Sequence, residues 1–100
     1  MTETVYRNKL EKKLYGMFPG SLIIRNDAKE IQGIPDLTIF YGMRWAMLEI
    51  KISENAPAQP NQPYYVKWAS EMSFGAFIYP ENEYEVLSEL VMFLDQEGLS

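Results

Sequence analysis

The sequence predicts one α/β domain: a mixed β-sheet flanked by helices, in the order α-β-β-β-α-β-α. Three observations lead there. Apolar residues recur at helical spacing in three stretches, near the start, in the middle and at the end of the chain. Two extended runs, 36–41 and 45–52, are joined across Gly42, which is free to take a positive φ and so to turn a hairpin. A helical segment then separates the third strand from the apolar run at 75–79, which allows a right-handed parallel crossover. The 100 residues suit a single domain, 1–100, with no repeats and no low-complexity tract.

Residues 3–18 read as an amphipathic helix, with Tyr6, Leu10, Leu14 and Met17 as its apolar stripe and Pro19-Gly20 as its stop. Residues 21–25 (SLIIR) form a short strand, and 26–33 a polar loop. Residues 36–41 (DLTIFY) and 45–52 (WAMLEIKI) form the antiparallel hairpin. A loop at 53–62 leads into a helix that runs to about Ser73, with Pro60 or Pro63 in its first turn, where a missing N–H costs little. The run GAFIY at 75–79 is continuous in apolar character, as a strand buried on both faces would be. Pro80 breaks it. The last helix spans 82–97, with Val86, Leu87, Leu90, Val91 and Leu94 inward and Gly98 as its stop.

Composition narrows the chemistry. With 47% hydrophobic residues and seven tyrosines the chain is globular rather than disordered. No apolar run approaches the ~20 residues that span a bilayer, and the charged, polar start carries no secretory signal. There is no cysteine, which excludes disulfides and thiolate metal sites and suits a reducing cytoplasm. There is no histidine either, which excludes imidazole triads and His-ligated zinc. An enzyme built from this chain works with carboxylates, lysine, hydroxyls, amides or a hard cation. The net charge of −5 argues against a plain nucleic-acid coat. The charge is uneven, however. Residues 1–30 hold six basic and four acidic side chains, whereas 81–100 hold six acidic and no basic ones. An acidic flank can sit away from a basic working face.

The hairpin carries the chemistry. Alternation puts Ala46, Leu48, Ile50 and Ile52 on one face of the third strand, and Met47, Glu49 and Lys51 on the other. Asp36 opens the neighbouring strand directly after Pro35, so its carboxylate can sit beside Glu49 across the ladder. These charges lie between the most apolar parts of the chain, where an unpaired charge is costly. A cation shared by Asp36 and Glu49 resolves that cost, and Lys51 on the same face can orient a metal-bound water or stabilise charge on a phosphate. The plain alternatives are a solvated polar face, and a Lys51 that only pairs with Glu49.

Gly33-Ile34-Pro35-Asp36, followed after one hairpin by Leu48-Glu49-Ile50-Lys51, resembles the PD-(D/E)xK nuclease signature. Within that superfamily the chain is similar to the compact VRR-NUC branch, particularly its stand-alone phage-type members. That branch has a G-x-P-D-L start, an E-V/I-K centre and a glutamine at the next helix; Gln62, eleven residues after Lys51, matches that glutamine. The resemblance covers about residues 3–80. It implies a restriction-endonuclease-like fold and a Mg²⁺- or Mn²⁺-dependent endodeoxyribonuclease, with Asp36, Glu49, Lys51 and Gln62 as catalytic residues. It further implies metal held by Asp36, Glu49 and the backbone carbonyl of Ile50. Many members add a glutamate from the first helix. Glu3 lies about 25° from the centre of the apolar stripe and Glu11 about 105° away, so Glu3 is the better candidate.

Branched or four-way junction DNA is the expected substrate, a homodimer the expected assembly, and the bacterial cytoplasm the expected location of a phage-encoded member. Asn26 and Lys29, in the loop before the motif, and Arg7 and Lys13, on the first helix, are candidate nucleic-acid contacts. The exposed aromatics Trp45, Tyr64, Tyr65 and Trp68 could stack on bases or support a subunit interface. Two competing expectations are a catalytically silent nuclease-fold module that binds nucleic acid or a protein partner, and a small interaction module that uses its acidic C-terminal helix.

Overall fold

The computed structural model describes residues 1–95. The element order is the expected one: α1 (Glu3–Met17), β1 (Leu22–Arg25), β2 (Leu37–Tyr41), β3 (Arg44–Ile50), α2 (Gln62–Met72), β4 (Gly75–Ile78) and α3 (Glu83–Leu94). The expected continuation of the last helix to 97 and its stop at Gly98 lie outside the described residues.

The strands form one sheet in the order β1-β2-β3-β4, antiparallel across the first two pairings and parallel between β3 and β4. The molecule is thus an α/β domain with a mixed sheet. Tyr41 pairs with Arg44, so Gly42 and Met43 make a two-residue turn, with Gly42 at φ 61°. A side chain there would be strained, and only glycine takes that region freely.

Thr2 starts α1: its hydroxyl accepts the Val5 N–H at 3.1 Å. Tyr6, Leu10 and Leu14 are buried at four-residue steps, and Phe18 continues the row with no exposed surface. Met17, expected in that stripe, is only half-buried at its margin. Leu37, Ile39, Ala46, Leu48, Ile50 and Ile78 face α1 and α3 and complete one core with Leu87, Leu90 and Leu94. At one end of this layer the Tyr6 hydroxyl donates to Glu83 Oε1 at 2.8 Å, and Lys13 pairs with the same carboxylate.

Alternation sends the intervening residues to the other face, where α2 lies. Gly75 lets α2 approach β4: an added Cβ would meet the Val66 carbonyl oxygen at 2.5 Å and the Ala69 Cβ at 2.7 Å. Pro63 sits in the first turn of α2, one of the two expected placements. The helix covers the β3–β4 half of this face. Leu22, Ile24 and Phe40 remain exposed on the strands of the other half.

Candidate active site

Among the described residues the buried polar side chains are Thr38, Glu49 and Lys51, and all three belong to the α2 side of the sheet. Leu37 pairs with Leu48, and one step further along the ladder Asp36 stands beside Glu49. The Ile50 N–H donates to Asp36 Oδ2 at 2.9 Å, which fixes the aspartate against β3. The expected meeting of the two carboxylates on one face is what the structure shows. The strand ends at Ile50, two residues sooner than expected, but Lys51 keeps the alternation because its N–H donates to the Ile78 carbonyl at 2.9 Å.

Gln62, the first residue of α2, joins the group. Its Nε2 donates to Glu49 Oε2 at 2.8 Å, and its Oε1 accepts from Lys51 Nζ at 2.7 Å and from the Gln59 N–H at 2.7 Å. A carboxylate on one side and an ammonium on the other leave the amide a single sensible orientation. Lys51 Nζ also reaches the Pro57 carbonyl at 3.3 Å and Glu49 Oε2 at 3.5 Å. Its three protons therefore face three acceptors, of which Glu49 is the most distant.

Glu49 is 2% exposed, and its Oε1 is buried with no hydrogen-bond partner. Burial pushes its pKa up, and the Asp36 charge adds to the rise. The Lys51 ammonium opposes both and loses, so the carboxyl rises to about 8. A buried acid with one orphaned oxygen lacks a positive neighbour on that side. The two acids, Asp36 and Glu49, present oxygen donors only. Oxygen donors suit a hard divalent cation. Among the described residues no third acidic side chain joins them.

Other sequence-predicted site residues fall elsewhere. Glu3 is exposed in the first turn of α1, one turn before the first buried residue, Tyr6. It was expected to turn inward, but the inward face of α1 leads to the core, and the core lies on the opposite side of the sheet from Glu49. A first-turn acid at a helix N-terminus is favoured by the helix dipole. Arg7 and Lys13 share that helix and do not approach the site: Arg7 lies 3.9 Å from Glu11, and Lys13 pairs with Glu83. Lys29 stays exposed in a tight turn whose backbone donates to Asp27 Oδ1 at 2.8 Å. Asn26 is a correction. Its amide NH₂ turns inward, donating to the Pro35 carbonyl at 2.9 Å and the Thr38 hydroxyl at 2.8 Å, so both of those protons are used within the fold.

Sequence reasoning missed Thr38 and the Pro57 carbonyl, and it named Gly33 in the motif without giving it a packing role. Thr38 had a signal: it shares the parity of Asp36, and a hydroxyl between buried Leu37 and Ile39 needs a partner. Gly33 sits at φ 88°, and a Cβ there would lie 2.5 Å from the Asn61 Cβ and 2.7 Å from the Asn61 carbonyl carbon. The loop that delivers Asp36 is thereby packed directly on the residue before Gln62. No protein-family model, curated protein or solved structure matches this chain.

Proposed function

We propose that the chain is a divalent-metal-dependent endonuclease that hydrolyses phosphodiester bonds in DNA, with branched or four-way junction DNA as its preferred substrate. The observation that carries this reading is the orphaned, buried Oε1 of Glu49 beside Asp36, with the Lys51 ammonium fixed on the other oxygen. The resemblance of Gly33–Asp36, Glu49–Lys51 and Gln62 to the VRR-NUC branch of the PD-(D/E)xK nucleases supports it. In such a site two carboxylates and one main-chain carbonyl suffice, so the want of a third acidic side chain does not weigh against it.

Asp36, Glu49 and the Ile50 carbonyl would hold Mg²⁺ or Mn²⁺. The ion, when bound, makes water a nucleophile at neutral pH and offsets charge on the phosphate. Lys51 holds a fixed positive charge at the edge of the carboxylate pair, where it can receive a scissile phosphate oxygen or orient the attacking water. Gln62 keeps Lys51 and Glu49 at set positions through one amide. With the sites of Arg7 and Lys13 on the far face, few cations are left to hold a phosphate backbone. A homodimer would double the available surface. The exposed Leu22, Ile24 and Phe40 on the open half of the sheet favour such an assembly. Sedimentation is expected to give twice the 11.6 kDa chain mass; a single-chain mass at the highest soluble concentration removes the dimer. Among the described residues no helix is long and apolar enough to cross a membrane.

The test is a cleavage panel with Mn²⁺ over single-stranded, duplex, flap and four-way DNA. Cutting is expected to require the metal and to favour branched substrates. Asp36→Asn is expected to lower the rate by at least about 10³-fold, because it removes a metal-ligand charge. Metal-independent cutting, or full activity of Asp36→Asn, discards the reading. Metal and DNA binding without any cutting would favour the catalytically silent module instead.

A further inference from the structure

We infer that Asn26 is a positioning residue for the metal site, acting through Asp36. This rests on the reading of Asp36 and Glu49 as metal ligands. Asn26 brackets the aspartate from both sides in sequence. Its backbone N–H donates to the Asp36 carbonyl at 2.8 Å. Its side-chain amide donates one proton to the carbonyl of Pro35, the residue before, and the other to the hydroxyl of Thr38, two residues after. Two of these bonds hold the backbone at Pro35 and Asp36, and the third ties the Asn26 amide to the Thr38 side chain.

That fixation has consequences for the carboxylate. Asp36 immediately precedes β2, and the pairing with β1 ends on the bond from the Asn26 N–H to its carbonyl, so the peptide just before it is held by the Asn26 side chain rather than by strand pairing. Its side chain makes one hydrogen bond, from the Ile50 N–H to Oδ2. Without the Asn26 amide the Pro35 carbonyl loses that hydrogen bond, so the peptide between Pro35 and Asp36 is held less tightly and the aspartate side chain gains freedom about its one contact while Glu49 stays buried in place. Metal affinity depends on both carboxylates holding their separation. Groups that orient ligands without touching the metal typically contribute about 10–100-fold to affinity. Asn26 also satisfies the buried Thr38 hydroxyl, which links the aspartate to the sheet face under α2.

The experiment is a Mn²⁺ titration by calorimetry on wild type, Asn26→Ala and Thr38→Val, paired with cleavage rates measured against Mn²⁺ concentration. Wild type is expected to bind Mn²⁺. Asn26→Ala is expected to weaken that binding about 10-fold or more and to raise the half-saturating Mn²⁺ for cleavage by the same factor. The rate at saturating Mn²⁺ is expected to recover to within about threefold of wild type, since the reacting groups are intact. Thr38→Val is expected to shift both quantities in the same direction by a smaller factor. A purely structural role would lower the melting temperature and leave the half-saturating Mn²⁺ unchanged at a temperature where the variant is folded. Wild type that binds no Mn²⁺ removes the metal-site reading and this inference with it. Wild type that binds, with unchanged affinity in Asn26→Ala, overturns the inference alone. If Asn26→Ala does not fold, unchanged affinity in Thr38→Val overturns it.

Discussion

Glu49→Gln is expected to abolish cleavage and, in metal-free protein, to raise stability. The two effects have one cause. In the absence of a cation Glu49 is a buried acid facing Asp36, and its carboxyl is raised to about 8. The native state therefore holds a proton that the unfolded chain, with an ordinary glutamate, releases near pH 4.5. Between those values the native state binds more protons than the unfolded state, so stability falls as pH rises through the window and levels off above about 8. Above it the ionised carboxylate is buried against Asp36, and Lys51, the Gln62 amide and the Asp36 backbone only partly offset that cost. Glutamine has nearly the same shape and no charge. Its carbonyl oxygen can keep the Gln62 Nε2 bond, and its NH₂ can occupy the Oε1 position, near the Asp36 carboxylate. The variant is expected to be more stable than wild type by on the order of 2–4 kcal/mol at pH 9 in EDTA, with the difference shrinking toward pH 5.

Denaturant unfolding at several pH values checks this, with wild type declining across the window and Glu49→Gln staying flat. Cleavage by the variant in Mn²⁺ is expected to fall by about 10³-fold or more. A Glu49→Gln that is less stable than wild type at pH 9 would mean that Glu49 is fully compensated without metal. A Glu49→Gln that cuts at the wild-type rate would remove the carboxylate from the chemistry. A catalytic group that weakens the fold until its ligand binds is an expected feature of active sites, where function and stability compete.

The strands disclosed more of this site than the helices or loops did. Period-two alternation puts Glu49 and Lys51 on one face, and hairpin pairing puts Asp36 beside them, so the three were legible from spacing alone. Helical periodicity gave the inward side of α1 correctly for Tyr6, Leu10 and Leu14. It could not say which face of the sheet that side would cover. Glu3 was misassigned to the metal site for this reason: the helix that carries it, and Arg7 and Lys13 with it, packs against Leu48 and Ile50, not Glu49. Loop residues gave no period to read. The inward turn of Asn26 depends on hydrogen bonds to residues nine and twelve positions away, and nothing local in Asn26–Asp27 distinguishes it from an ordinary polar loop. Gln62 was found only through the resemblance; its amide bridging an acid and an ammonium is a consequence of where α2 begins.

Gly33→Ala is expected to be far more damaging than Gly20→Ala. Both glycines have positive φ, 85° at Gly20 and 88° at Gly33. Alanine in that region costs about 1–2 kcal/mol from its backbone alone. At Gly20 the new methyl would meet nothing within 4 Å, so the backbone cost is the whole cost. At Gly33 the methyl would also lie 2.5–2.9 Å from Asn61 and the Pro60 carbonyl. Asn61 is itself in the left-handed region at φ 70° and heads α2, so it has little room to yield. Overpacking of this kind adds about 1–3 kcal/mol, for an expected total of about 3 kcal/mol or more at Gly33. Thermal unfolding is expected to show the larger drop for Gly33→Ala. Cleavage separates the two further. Relief of the clash moves Asn61 and Gln62 away from the sheet, which breaks the bridge between Glu49 and Lys51, and a displacement near 1 Å in such a group costs about 10²-fold in rate. Gly20→Ala is therefore expected to cut at the wild-type rate wherever it is folded, while Gly33→Ala loses rate even at temperatures well below its melting point. Equal rates for the two folded variants would show that the Gly33–Asn61 contact holds the fold without setting the position of Gln62.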